Sequence, residues 1–213
     1  MRSSTKLSAK LLFTFFVGLV GLLGLVAFVP GCNRAIAGYD ELVTKDQNCE
    51  AKWADYEADL QRRADLVPNL VATVKASAKY EEGTLTKITQ ARAEATSIKL
   101  TGEDFTDPDK MKKFQEAQDK LSHGSLSRLL IANENYPKLQ ASAQYSDLMK
   151  QLEGSENRIL RSRQQYNEAV RAFNTELGKV QGVAINKATG KPFKNRVYFS
   201  ASPESQAAPK VSF

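Results

Sequence analysis

From Trp53 to Ala78 the apolar residues recur in steps of three or four, through Tyr56, Leu60, Ala64, Val67, Val71 and Val74. A second series, Tyr145, Leu148, Leu152, Ile159, Tyr166, Val170, Phe173, Leu177 and Val180, keeps the same steps if Glu156 and Arg163 are counted among its positions. Such spacing lays each series along one face of an α-helix and fits no strand, whose faces alternate every second residue. The second series is nearly a heptad seam. Between the two, shorter helices are expected over Glu82–Lys99, with Leu85, Ile88, Ala95 and Ile98, and over Pro108–Ala132, with Met111, Phe114, Leu121 and Leu129. Asp107 is placed to cap the latter, with Pro108 at its first helical position. Breaks are legible at Thr101-Gly102-Glu103-Asp104 and at Tyr136-Pro137.

A helix with one apolar stripe needs neighbours, and four such helices joined by turns satisfy one another in an antiparallel bundle. The expected fold is therefore all-α. It is an elongated antiparallel bundle of about four helices over residues 33–181, followed by an extended tail, 182–213, where Gly, Pro, Ser and Ala surround Val197-Tyr198-Phe199. Ahead of the bundle, residues 1–32 form either an N-terminal transmembrane helix or a lipoprotein-type signal.

From Leu11 to Val29 the only polar side chain is Thr14. At a rise of about 1.5 Å per residue the run reaches roughly 28 Å, near the hydrocarbon thickness of a bilayer. Arg2, Lys6 and Lys10 precede it without an acid, so the positive-inside rule keeps the N-terminus in the cytoplasm and sends the rest outward. The expected localisation is the cytoplasmic (inner) membrane, single-pass, with an extracytoplasmic or periplasmic domain. The alternatives are lipidation at Cys32, in the lipobox-like Val29-Pro30-Gly31-Cys32, and cleavage after Ala35-Ile36-Ala37.

Half of the formal net charge of +6 comes from Arg2, Lys6 and Lys10. The balance elsewhere is too weak to argue for a nucleic-acid partner. Cys32 and Cys49 have no metal spacing and are read as unpaired. His123 has no cysteine or carboxylate at ligand spacing, so neither a metal nor a cofactor is expected, and an exposed or interface histidine is the reading. Asp104, Asp107 and Asp109 lack the calcium-loop pattern and are read as helix caps. No phosphate loop, GxSxG or Cys/His motif is present, and no catalytic residue is assigned.

The stretch Gln61-Arg62-Arg63-Ala64-Asp65-Leu66-Val67-Pro68-Asn69-Leu70-Val71 is less easily accommodated. A mid-helix proline lacks its N–H and crowds the carbonyl four residues back, here Ala64, at about 3 kcal/mol. A kink or break is expected, with Asp65 as the N-cap of a new segment. Asp59 and Arg63, four apart, support the turn before it. Because Glu156 and Arg163 occupy seam positions of the last helix, with Asn167 and Asn174 beside it, an interhelical polar network of Arg63, Asp65, Glu156 and Arg163 is expected, with Asp65 pairing Arg163. The same four residues could instead line a ligand pocket.

These pieces carry a resemblance. Trp53, the whole Gln61–Val71 stretch, Ala91-Arg92, Glu134-Asn135-Tyr136-Pro137, Glu156-Asn157-Arg158-Ile159 with Arg163, Tyr166-Asn167, Phe173-Asn174, Tyr198-Phe199 and Pro209-Lys210-Val211-Ser212-Phe213 together resemble the LemA family of bacterial membrane-anchored helical proteins. The resemblance runs from the anchor to the last residue. It implies a short N-terminus, one anchor and an all-helical domain without an established enzymatic activity. Two places depart from the family pattern: Tyr80 stands before Glu81 where histidine is frequent, and Leu177-Gly178-Lys179-Val180-Gln181-Gly182 lacks the usual proline at the end of the last helix. The function expected is a non-enzymatic scaffold or interaction protein of the cell envelope, with the membrane and other envelope proteins as partners. The alternative is a ligand-binding module or enzyme using the polar cluster.

Overall fold

The chain was studied as a computed structural model, which describes residues 4–77, 82–127, 141–188, 190 and 193–200, with side chains from Ala37 on apart from those of residues 77 and 82. Its elements are α1 (Ser4–Ser77), α2 (Glu82–Ser97), a 3₁₀ turn (Gly102–Thr106), α3 (Pro108–Asp119), a π-helical segment (Lys120–Leu126), α4 (Ala143–Gly178) and α5 (Val180–Ala188). Among the described residues there is no strand.

Two compact units divide the chain: Met1–Thr44 with Glu176–Phe193, and the larger Lys45–Thr175 with Lys194–Phe213. In the larger unit, residues ascending α1 meet residues descending α4. Trp53 lies against Tyr166, with ring centroids 5.4 Å apart, and Arg63 against Glu156 at 3.3 Å. Further along, Val67, Leu70 and Val74 share a core with Tyr145, Leu148 and Leu152. Leu85, Ile88, Ala91 and Ala95 of α2 and Leu121 and Leu126 of the π-helical segment complete that core. Four neighbours running alternately up and down thus cover each other's apolar stripes, the expected bundle. The α1 stripe differs from its expected course at one step: Leu70 is buried, whereas Val71 is half-buried.

The second core of this unit is aromatic. Trp53 is 4% exposed and touches Tyr56, Phe105, Phe114 and Tyr166, while Phe199 stacks on it at 5.8 Å with 10° between the planes. Pairs of this kind add about 0.5–1.5 kcal/mol each beyond the area they bury.

Cap chemistry ends the elements where it was anticipated. Asp107 accepts from the N–H groups of Asp109 (2.9 Å) and Lys110 (3.2 Å), and Pro108 follows it. Asp104 closes a capping box with Thr101 and pairs with Lys110 at 2.5 Å. The expected helix over Pro108–Ala132 changes character at Lys120, where the π-helical segment begins, and residues 128–132 lie outside the described ones.

At Pro68 the expectation fails. α1 neither breaks nor restarts there, and Asp65 caps nothing. The carbonyl that proline deprives of a donor finds one elsewhere: Arg92 of α2 donates its Nε–H to the Ala64 oxygen at 2.6 Å. A partner 28 residues away thus supplies the hydrogen bond that residue 68 cannot, and the helix stays whole.

In the smaller unit the last helix ends at Gly178, and α5 follows after Lys179. Residues 182–188 are therefore helical, and the extended segment starts later than expected. A side chain at Gly182 would collide with the carbonyl oxygens of Glu176 and Leu177, so only glycine allows this close return. Among the residues whose side chains are described, no helix is long and apolar enough to cross a membrane. The run Leu11–Val29 and Cys32 lie outside the residues whose side chains are described.

Candidate functional site

Arg63 is the most deeply buried charged side chain among the described residues, 2% exposed. With α1 unbroken, it sits beside Ala64 on the buried face, and its guanidinium points into the bundle rather than along α1 towards Asp59. Nη1 donates to Glu156 Oε1 of α4 at 3.3 Å and to the Ser122 hydroxyl of the π-helical segment. Nη2 donates to Gln118 Oε1 of α3 at 2.5 Å. Gln118 in turn donates to the Ala95 carbonyl of α2 at 2.9 Å, and the Ser122 hydroxyl donates towards Glu156 at 3.1 and 3.2 Å. One connected layer of polar groups therefore touches all four helices. The π-helical register is part of this arrangement, since a local change from four- to five-residue bonding re-aims the side chains that follow.

The four expected members fare differently. Arg63 and Glu156 come together. Asp65 does not join them: two residues along an intact helix is a rotation of about 200°, so it points outward and accepts from Gln61 Nε2 at 2.7 Å. The expected Asp65–Arg163 pair is absent for that reason. Arg163 is half-buried and, among the described residues, makes no hydrogen bond or ion pair. It lines a recess of about 300 Å³ together with Tyr56, Arg63, His123, Asn157 and the half-exposed Glu156. Burial raises the Tyr56 phenol well above its ordinary pKa, against the opposing pull of Arg63 and Arg163. His123 is exposed, its Nδ1 4.0 Å from Asp119.

A second buried arginine was not anticipated. Arg196, 7% exposed, donates Nε to Asp46 Oδ1 at 2.8 Å, and its Nη2 lies 2.7 Å from Asp46 and 3.4 Å from Glu50. Phe105 and Phe173 flank the guanidinium at 5.2 and 5.9 Å. Its backbone is clamped as well, because Asn174 both accepts from its N–H and donates to its carbonyl, each at 2.9 Å. Asn167 grips Phe199 in the same way, at 2.9 and 3.1 Å. Within the larger unit, the described part of the expected tail, Lys194–Ser200, is thus an integral strap. The only sequence signal for it was the heptad spacing of Asn167 and Asn174 beside the seam. Nearby, burial pushes the Cys49 thiol up to about 11 and the Tyr166 phenol up to about 12, so both are held neutral. Cys49 is a free thiol with no exposed surface.

Among the described residues no cluster of His, Cys, Asp or Glu is arranged to hold a metal. The Arg63 layer contains one hydroxyl and one carboxylate, but both are engaged with the same guanidinium. The fold and its polar layer define an up-and-down helical-bundle protein with matched charges in its interior.

The family model described as LemA family matches residues 52–213, and the chain belongs to that family. The matched region opens one residue before Trp53 and does not include the apolar run. Similar curated proteins are magnetosome protein MamQ 2 and magnetosome protein MamQ 1 of Paramagnetospirillum magneticum (strain AMB-1). Each is 27% identical over 199 residues, covering 86% of this chain and 71% of the relative. Magnetosome protein MamQ of Magnetospirillum gryphiswaldense is 25% identical with the same coverage.

Proposed function

We propose that this LemA-family chain is a membrane-anchored, non-enzymatic scaffold of the bacterial cell envelope, held by Leu11–Val29 with its N-terminus in the cytoplasm and presenting its bundle to envelope proteins on the far side. One observation carries the reading: the polar layer around Arg63 joins α1, α3 with its π-helical continuation, and α4 through side chains that are engaged with one another, and reaches α2 through the Ala95 carbonyl. Such a layer fixes helix register, the best-attested use of buried charge. The relatives are named for a structure, the magnetosome, and not for a reaction, which supports a role without turnover.

The test is a purification of the membrane-extracted protein with and without the paired replacement Arg63→Met and Glu156→Leu. An unchanged set of co-purifying proteins, with the bundle still helical by circular dichroism, is expected. Loss of those proteins from a folded variant would move the weight to the polar layer itself. In the same preparation, Cys32→Ala should leave size and membrane association unchanged, and a retained, unacylated precursor would instead make Cys32 the anchor.

A second reading rests on the recess beside Glu156. Arg163 is uncommitted there and the Arg63 Nε–H has no described partner, which favours a small ligand with a carboxylate. Arg163→Gln separates the two readings. A scaffold keeps its partners, whereas a ligand module loses binding of that carboxylate without losing stability.

A further inference from the structure

Lys194–Ser200 meets the larger unit as a peptide ligand would. The covalent path from Thr175 to Lys194 lies wholly in residues of the smaller unit, so only non-covalent contacts hold the segment in its groove. Those contacts are of two kinds. The first reads backbone: Asn167 and Asn174 each bind both the N–H and the C=O of one residue, Phe199 and Arg196, with the side-chain amide replacing the peptide group of an adjacent strand. Between these clamps the Val197 N–H donates to the Phe105 carbonyl at 2.8 Å. The spacing matches. Seven residues of α4 advance about 10.5 Å, and three residues of extended chain advance about 9–10 Å.

The second kind reads side chains. Arg196 enters between Asp46, Glu50, Phe105 and Phe173, and Phe199 enters the cage of Trp53, Tyr56 and Tyr166. Main-chain bonds for affinity and side-chain pockets for specificity are the logic of extended-peptide recognition. The groove therefore fits an extended segment with arginine three residues before phenylalanine, and the identical segment of another copy satisfies it as well as the chain's own.

We infer that the protein self-associates by exchanging this strap, the Lys194–Ser200 segment of one copy filling the groove of a second. Exchange preserves every contact of the strap, which makes it a low-cost route to dimers. The path leading to the strap contains Gly190 at φ +65°, and glycine passes to other backbone angles without steric penalty. This goes beyond the scaffold reading and stands on the strap alone, whatever anchors the chain.

The Ser200 hydroxyl lies 3.2 Å from Gln115 Oε1 at the surface, and this neighbourhood supplies the experiment. Full-length chains carrying Ser200→Cys and, with a different tag, Gln115→Cys are co-expressed and oxidised in the membrane. A chain carrying both substitutions serves as the control for reach through its intrachain link. The expected result is a disulfide joining the two tags, in excess over either variant paired with itself. An intrachain link in the control with no excess of the mixed dimer overturns the inference. Independently of any cysteine, two differently tagged unmodified copies should co-purify, and a synthetic peptide of residues Lys194–Ser200 in excess should separate them. Copies that never co-purify, or that the peptide leaves together, also overturn it.

Discussion

Arg63 and Arg196 are both buried in the larger unit, at 2% and 7% exposure, yet their charges are answered differently. Arg196 lies against two carboxylates and between two aromatic rings, and its backbone is clamped too. Arg63 has one carboxylate, 37% exposed, and two neutral acceptors, Gln118 and Ser122. The first arrangement fastens a single extended segment to a finished surface, so its partners converge on that segment. The second lies where helices meet, and its partners are distributed over α3, the π-helical segment and α4, with Gln118 extending the link to the Ala95 carbonyl of α2. A buried charge thus serves as a latch in one place and as a register pin in the other.

The largest expected effect strikes the latch. Phe199→Ala removes the ring stacked on Trp53 and should cost about 3–5 kcal/mol in a urea unfolding experiment. A loss below about 1 kcal/mol would mean that the strap is not part of the folded core. Next comes the direct comparison of the two arginines. Asp46→Ala takes the nearer carboxylate from Arg196 and should cost about 2–4 kcal/mol. Glu156→Ala leaves Arg63 its two neutral acceptors and should cost about 1–2 kcal/mol. The reverse order would show that the half-exposed carboxylate is the more important partner.

The proline offers a sharper but smaller test. Arg92→Ala orphans the Ala64 carbonyl and should destabilise by about 1–3 kcal/mol. In a Pro68→Ala background residue 68 regains its N–H, and the same Arg92 substitution should then cost well under half as much. Equal costs in both backgrounds would assign Arg92 to packing alone.

At neutral pH the thiol of Cys49 contributes nothing visible, but it should mark the alkaline limb. Its folded pKa of about 11 stands above the ordinary 9.0 because burial disfavours the thiolate. The associated stability is therefore complete below pH 9.0 and lost as pH rises towards about 11. Cys49→Ala should make the fall across that window shallower, and an unchanged slope would leave the alkaline loss to the buried tyrosines Tyr56 and Tyr166.

The helical stripes were legible because burial imposes their period: Trp53, Tyr56, Leu60, Ala64, Val67 and Val74 all face the core as their spacing required. Asp107 was legible as a cap because that chemistry is local. Arg63 and Glu156 were recognisable as charges on apolar faces. What failed depended on contacts distant in sequence. Pro68 reads as a break until Arg92 is seen to supply the missing donor, and the expected role of Asp65 disappeared with the break. The strap has no periodicity to announce where an extended chain will lie, and Asn167 and Asn174 show their purpose only when its backbone is beside them. The π-helical segment is equally silent, since Ser122, Gly124 and Ser125 weaken helix propensity over Lys120–Leu126 without specifying a five-residue bonding register.

The central claim, that the Arg63 layer joins helices before it serves any chemistry, is tested most directly by a double-mutant cycle on unfolding free energy with Arg63→Met and Glu156→Leu, taking Asp65→Ala as the surface reference. The account predicts a coupling of about 1–3 kcal/mol between the first two, a double variant less destabilised than the sum of its parts, and a change within about 0.5 kcal/mol for Asp65→Ala. Additive and small losses at Arg63 and Glu156, no larger than at Asp65, would contradict it.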